Sequence, residues 1–187
     1  WIAITGYVSF IPPFLFAYAQ TEIDSALAAI LNSLTPLATL LIGIGFYRFK
    51  IDSKQISGVI LGLIGSVLLM YQGSIINPDQ NSVYVIFIIL ASILYALQVN
   101  LLKVYLQDVS AVAITVGNFI FIFPFAVVIF FMTDYNELDL NDKDVSSALF
   151  YILILSIFGT VFAKILFNKF VQIASPVFVS SVTYTLP

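Results

Sequence analysis

The 187-residue sequence has no cysteine and no histidine, and few of its residues are charged. Without cysteine there is no disulfide and no thiolate nucleophile, and without histidine the commonest general base and metal ligand is missing. Charged residues make up 9% of the chain, whereas a soluble domain has about 25%. This is too few to cover a surface that faces water. The composition excludes a soluble domain, and we expect no catalytic residues, no metal site and no cofactor.

The few charged residues divide the chain into uncharged apolar runs. A membrane-spanning helix needs about 20 mostly apolar residues, and each run has close to that number or more. The runs do not alternate as the strands of a membrane barrel do, and backbone groups in lipid must be paired within their own segment. We therefore predict an all-α polytopic membrane helix bundle with seven spans, at 1–21, 25–47, 55–78, 80–102, 109–133, 145–163 and 170–187.

Basic and acidic residues alternate between successive loops. Lysine and arginine prefer cytoplasmic loops, and six of the seven basic residues fall in alternate connections: Arg48, Lys50, Lys54, Lys103, Lys164 and Lys169. We therefore predict that these basic loops are cytoplasmic and that the first span runs outward. The acidic loops at 20–25, 74–82 and 133–145 are then external.

The sequence around Pro36 has a counterpart at the end of the chain. A shift of 151 residues places "FAYAQTEIDSALAAILNSLTP" on "FNKFVQIASPVFVSSVTYTLP" without a gap, with Pro36 on Pro187. The two copies are five spans apart, and because five is odd the second copy is inverted relative to the first. Inverted repeats are typical of secondary transporters, whose substrate site lies near the midplane. The identities are few, and chance similarity is the alternative.

Three stretches carry a family resemblance: "SALAAILNSLTPLATLL", "QISGVILGLIGSVLL" and "SIFGTVFAKILFNKFVQIASPVFVSSVTYTLP". In order and spacing they resemble the fourth, fifth, and eighth to ninth helices of an EamA-type member of the drug/metabolite transporter superfamily. Many members close the fourth helix with a Gly-Glu pair, which "GFYRF" lacks. The resemblance implies a fold of ten helices in two inverted five-helix halves, in the bacterial inner (plasma) membrane.

The resemblance also implies a domain organisation. Residues 1–73 would be the later part of the first half (EamA repeat 1), and residues 80–187 most of the second half (EamA repeat 2), truncated within the ninth helix. We expect the chain to be a piece of a longer membrane protein, because it starts at Trp1 without a methionine and stops at Pro187 in apolar sequence.

Polar residues within the spans indicate where a solute would bind, because polar side chains in lipid are costly and normally face the bundle interior. Helical spacing places several of them on shared faces. The predicted substrate cavity consists of Asn32, Thr35, Thr39, Tyr95, Gln98, Ser156, Thr160, Lys164, Ser180, Thr183 and Tyr184. Alternatively, these groups bond neighbouring helices, and Lys164 snorkels to the membrane surface. We predict helix kinks at Pro13, Pro36, Pro124 and Pro187.

These features predict a secondary transporter that exports or exchanges small metabolites, such as amino acids or drug-like solutes, by alternating access around a midplane cavity. The alternative is a seven-helix receptor or another integral membrane protein that does not transport. We expect no enzyme, because paired acids within the membrane are also missing. Gly58 and Gly62 predict close helix packing rather than a phosphate loop, which needs a lysine. The expected partners are the lipid bilayer and a small-molecule substrate, without nucleic acid; the oligomeric state stays open.

Overall fold

A computed structural model describes residues 1–50, 52–72, 82–133 and 142–185, and every regular element within these ranges is helical. The α-helices are α1 (Ile2–Ala19), α2 (Ser25–Asn32), α3 (Thr35–Gly45), α4 (Ser53–Gln72), α5 (Val85–Tyr105), α6 (Ala111–Phe131), α7 (Lys143–Ile154), α8 (Ala163–Ile173) and α9 (Pro176–Ser180). A π-helical segment, Leu155–Phe162, joins α7 to α8, and 3-10 turns cover Ser82–Tyr84 and Ser181–Thr185. The predicted all-α class is confirmed.

Five helical stretches in the described ranges are long and apolar enough to cross a membrane: Ile2–Ala19, Ser25–Gly45, Val85–Tyr105, Ala111–Phe131 and Lys143–Ile173. A shorter apolar helix, Ser53–Leu68, corresponds to the predicted third span. The chain is a polytopic membrane helix bundle. The end of that third span, all but the last residue of the predicted loop at 74–82 and most of the one at 133–145 lie outside the described residues.

The predicted boundary between the sixth and seventh spans is wrong. The sixth span was placed at 145–163, but its helix continues without a break to Ile173. Lys164 does not end it, because lysine is a good helix former and carries no backbone restriction. The helix stops where Ala174 becomes extended, and Ser175 then caps α9 by accepting a hydrogen bond from the Phe178 N–H at 3.2 Å.

The helix α5 is the centre of the bundle and packs against α1, α2, α3, α8 and α9. One apolar cluster joins it to α6, α8 and α9 and includes Val99, Leu102, Ile114, Val171 and Val179. A second cluster, Ala19, Ile23, Ala28 and Ile88, joins its other end to α1 and α2. The most buried helix is thus the one that connects the early part of the chain to the late part.

Aromatic contacts show that α1 and α5 run antiparallel. Trp1 stacks on Tyr105, with ring centroids 3.6 Å apart, and Tyr18 packs on Tyr84 and Phe87 at 5.2 Å. The two aromatic groups are about 25 Å apart along α1, at 1.5 Å per residue. This is close to the thickness of the hydrocarbon core, where aromatic belts mark the two interfaces.

The second span is interrupted next to Pro36. The chain leaves α2 after Asn32, turns at Ser33 and Leu34, and begins α3 at Thr35, so that Pro36 is the second residue of a new helix. A proline is tolerated there because its missing N–H would be unpaired in a first turn anyway. By contrast, α1 and α6 continue through Pro13 and Pro124, and Pro187 lies outside the described residues.

The two copies of the predicted repeat begin their helices in the same register. The helix α2 starts at Ser25 and α9 at Pro176, the two positions that the 151-residue shift superposes. Both helices follow an extended N-cap residue, Asp24 in one copy and Ser175 in the other. The correspondence agrees with the predicted repeat, while its inverted orientation stays a prediction.

Candidate functional site

A cavity of about 830 Å³ lies between the helices. Its walls come from α1, the α2–α3 junction, α5, α6, the helix Lys143–Ile173, and α9 with the 3-10 turn that follows it. Small-molecule sites typically have about 300–1,000 Å³ and are mostly apolar with a few convergent polar groups. This cavity has that size and that character, so it is the candidate substrate site.

Most of the residues that were predicted to line a cavity do line this one. The structure brings together eight of the eleven, from the α2–α3 junction, α5, the helix Lys143–Ile173, and α9 with its 3-10 turn: Asn32, Thr35, Tyr95, Gln98, Thr160, Lys164, Ser180 and Thr183. Pro13 also contributes to the wall.

The other three predicted residues, Thr39, Ser156 and Tyr184, lie elsewhere. Thr39 is fully buried at the contact between α3 and α5, where its hydroxyl donates to the Thr35 carbonyl at 2.8 Å. The Asn100 amide donates to the Thr39 carbonyl at 3.1 Å. This face of α3 is therefore a helix–helix contact.

Ser156 is exposed, and its hydroxyl donates to the Ile152 carbonyl at 2.8 Å. It was grouped with Thr160 and Lys164 on the four-residue spacing of an α-helix. The π-helical segment has a wider, i to i+5 turn, so that Ser156 does not share the face of the other two. The Tyr184 hydroxyl donates to the Val59 carbonyl at 2.9 Å, which ties the last 3-10 turn to α4.

Lys164 lines the cavity. Its amine donates to the Ser9 hydroxyl at 2.7 Å and lies 5.7 Å from the centre of the Phe119 ring. The Ser9 hydroxyl in turn donates to the Gly6 carbonyl at 2.9 Å. Ser9 lies near the middle of α1, about 10 Å along the axis from Ile2. The structure thus places Lys164 in the wall of the cavity.

Several polar groups in the cavity wall have unused hydrogen-bonding capacity. The buried Gln98 amide has no hydrogen-bond partner among the described residues, although its side chain lines the cavity. The Thr35 hydroxyl donates to the Asn32 side-chain carbonyl at 3.1 Å, and the Asn32 amide N–H groups have no acceptor among the described residues. Pro36 supplies no N–H to the Asn32 backbone carbonyl, the usual helical acceptor four residues earlier. These groups converge from α2, α3 and α5.

The comparison with protein families decides the class of protein. The family model described as "EamA-like transporter family" matches residues 1–71 and 82–187. The chain belongs to the EamA-like transporter family. Membership makes it a membrane transporter of the drug/metabolite transporter superfamily and confirms the resemblance that the helix sequences indicated. A search of curated proteins found no match, and a search of solved structures found none either.

In this EamA-like chain, sequence reasoning missed Ser9 and the aromatic wall of the cavity. Phe10, Phe14, Phe119 and Phe167 line it, but phenylalanine is equally common on surfaces that face lipid. Ser9 had a readable signal. Together with Thr5 and Pro12 it forms a stripe of small or polar residues at i, i+4 and i+7, which is one face of a helix.

A buried polar layer holds α1, α6 and α8 of the EamA-like chain together beside the cavity. The Thr5 hydroxyl donates to the Asn118 side-chain carbonyl at 3.2 Å. The Asn168 amide donates to the Thr115 hydroxyl at 3.0 Å. Since all four residues are essentially fully buried, these bonds fix how the helices that carry Ser9, Phe119 and Lys164 pack against one another.

A second polar network ties the basic end of α5 to the end of α8. The Lys103 amine donates to the backbone carbonyls of Gln172 and Ala174 at 2.8 and 2.9 Å. The Gln172 amide donates to the carbonyls of Leu106 and Val109 at 2.8 and 2.6 Å. Carbonyls in the last turn of a helix have no partner within the helix, and here a lysine from a neighbouring helix supplies one.

Proposed function

We propose that this chain forms the membrane core of a secondary transporter that exports or exchanges a small metabolite, such as an amino acid or a drug-like solute, by alternating access. The observation that supports it is the cavity of about 830 Å³ between helices of both proposed halves. Asn32 and Thr35 come from residues 1–73, and Gln98, Thr160 and Thr183 from residues 80–187. Rocking one half against the other would open and close such a site.

The two halves are proposed to be inverted repeats with the basic loops in the cytoplasm. The family model matches two segments separated only by residues 72–81, and the helix starts at Ser25 and Pro176 superpose under one shift. Lys50, Lys103 and Ser175 border one small pocket. Elements that the charge pattern assigns to the cytoplasmic side are thus neighbours at one end of the bundle. We propose that the bundle lies in the inner membrane of a bacterium.

Transport is tested with the full-length protein reconstituted in proteoliposomes and supplied with a panel of labelled amino acids and drug-like solutes. Gln98→Ala and Thr160→Val each remove a polar group from the cavity wall and should lower uptake. Ser156→Ala is the matched control for Thr160→Val, because Ser156 lies on the same helix but outside the cavity. A panel in which no solute moves would refute transport, and equal losses for Ser156→Ala and Thr160→Val would refute this cavity as the site.

A further inference from the structure

Lys164 is a cationic side chain without an acidic partner in the part of the chain that the structure describes. Among the described residues that line the cavity it is the single charged one, and no aspartate or glutamate is present there. Its contacts in the described part of the chain are the Ser9 hydroxyl at 2.7 Å and the Phe119 ring at 5.7 Å. The described lining of the cavity therefore has one positive charge and no acidic counter-ion.

An unpaired ammonium group in such a place is expensive. Charged groups within the membrane are costly, and they are retained when they pair with another group or serve a pathway. One serine hydroxyl and one aromatic face replace only part of the hydration that the amine has given up. A carboxylate from a solute would complete the set, because charge-assisted hydrogen bonds are about twice as strong as neutral ones.

The number of donors favours a carboxylate over a phosphate. A lysine ammonium has three donors, and Lys164 uses one of them on Ser9. The remaining two match the two oxygens of a single carboxylate. A doubly charged phosphate would need further cations or converging N–H groups, and the lining contains no second lysine and no arginine among the described residues.

The wall around Lys164 favours an apolar, ring-sized body attached to that carboxylate. Phe119 lies against the amine, and the rings of Phe10, Phe14, Phe123 and Phe167 line the same cavity. A cationic solute of similar size would meet the positive charge of Lys164 and find no carboxylate among the described lining residues. The electrostatics of the cavity thus oppose cations and favour monoanions.

We propose that the cavity binds an amphipathic monocarboxylate, with the carboxylate on Lys164 beside Ser9 and the apolar body against the phenylalanine rings. This substrate class rests on the proposed function. Lys164 is the residue that determines specificity for the acid, while the aromatic wall sets the size of the body. Gln98 and Asn32 are available for a further polar group on the solute.

The test uses two probes of the same size and shape, 3-phenylpropionate and its neutral amide, 3-phenylpropanamide. Their binding to the detergent-solubilised full-length protein is measured by calorimetry for the wild type, Lys164→Met, Lys164→Arg and the control Lys169→Met. Lys169 is an exposed lysine on the same helix that does not line the cavity. Elution from a size-exclusion column as a single symmetric peak verifies that each variant is folded.

We expect the wild type to bind the carboxylate about 10- to 100-fold more tightly than the amide, which is the usual contribution of a hydrogen bond to a charged group. Lys164→Met should lose this preference, whereas Lys164→Arg and Lys169→Met should keep it. The proposal is overturned if the wild type binds both probes equally, binds neither, or keeps its preference in Lys164→Met.

The same protein in proteoliposomes separates this proposal from the proposed function. Uptake of neutral or cationic solutes without any preference for the acid would overturn the substrate class and leave transport in place. Tight, Lys164-dependent binding of 3-phenylpropionate together with no movement of any solute would support the site and count against transport.

Discussion

Two glycines on α4, one turn apart, should respond in opposite ways to the same substitution. A Cβ atom built at Gly62 would lie 2.6 and 2.7 Å from Cδ2 and Cζ of Tyr184 and closer still to Cε2. A Cβ at Gly58 would meet nothing within 4 Å. Thus Gly62 allows the ring of Tyr184 to pack on α4, as the predicted close packing requires, whereas Gly58 has no such neighbour among the described residues.

The size of the effect follows from three contributions. Replacing glycine by alanine in a helix stabilises it by about 1 kcal/mol at either position. At Gly62 the ring must move, and overpacking of this kind costs about 1–3 kcal/mol. The displaced Tyr184 also loses its hydrogen bond to the Val59 carbonyl, which adds about 1 kcal/mol. Gly62→Ala should therefore be less stable than Gly58→Ala by about 2–4 kcal/mol.

Thermal unfolding of the full-length protein in detergent measures this difference. Gly58→Ala should raise Tm slightly, and the Tm of Gly62→Ala should lie at least about 4 °C below that of Gly58→Ala. In a Tyr184→Ala background the ring is absent, so Gly62→Ala should become as stable as Gly58→Ala in that background. Equal Tm values for the two single variants would refute the contact, as would a penalty at Gly62 that persists without Tyr184.

Three further predictions concern the ends of the helices, the cavity and the topology. Lys103→Met removes the donors to the Gln172 and Ala174 carbonyls and should destabilise the protein by about 1.5–3 kcal/mol in thermal unfolding, whereas Lys54→Met, at an exposed position, should not. Asn32→Ala should lower proteoliposome uptake about 2- to 10-fold at unchanged expression, and unchanged kinetics would remove Asn32 from the site. In a cysteine-free background, Thr21→Cys should react with a membrane-impermeant maleimide in intact cells and Lys50→Cys only after lysis; the reverse pattern would invert the proposed topology.

The helices were predictable from sequence because lipid requires long uncharged stretches, and charges fall where those stretches end. Lys164 broke this rule. Its charge was read as the end of a span, while in the folded protein it lies inside a helix and faces Ser9, 155 residues earlier in sequence. That pairing depends on how α1 and α8 pack, and neither composition nor residue spacing reveals this packing.

The cavity lining was predictable where the backbone is an ordinary α-helix. Tyr95 and Gln98 share a face of α5 at the expected spacing. Ser156 does not share the face of Thr160, because the backbone between them is π-helical. Thr39 has the right spacing too, but the neighbouring helix α5 occupies its side of α3. Which polar face meets a cavity and which meets a helix is decided by tertiary packing.

The helix Lys143–Ile173 is held more firmly at its Ile173 end than at its Lys143 end. Lys103 holds its carbonyls at the Ile173 end, whereas none of the residues of α7 or of the π-helical segment is buried against the described chain. Lys164 is about 14 Å from the held end and Lys143 about 45 Å from it. A tilt of about 10° at the held end would move Lys143 by about 8 Å and Lys164 by about 2 Å. That small displacement is enough to part the amine from Ser9. A solute that bridges Lys164 and α1 would therefore also oppose the tilt of the helix.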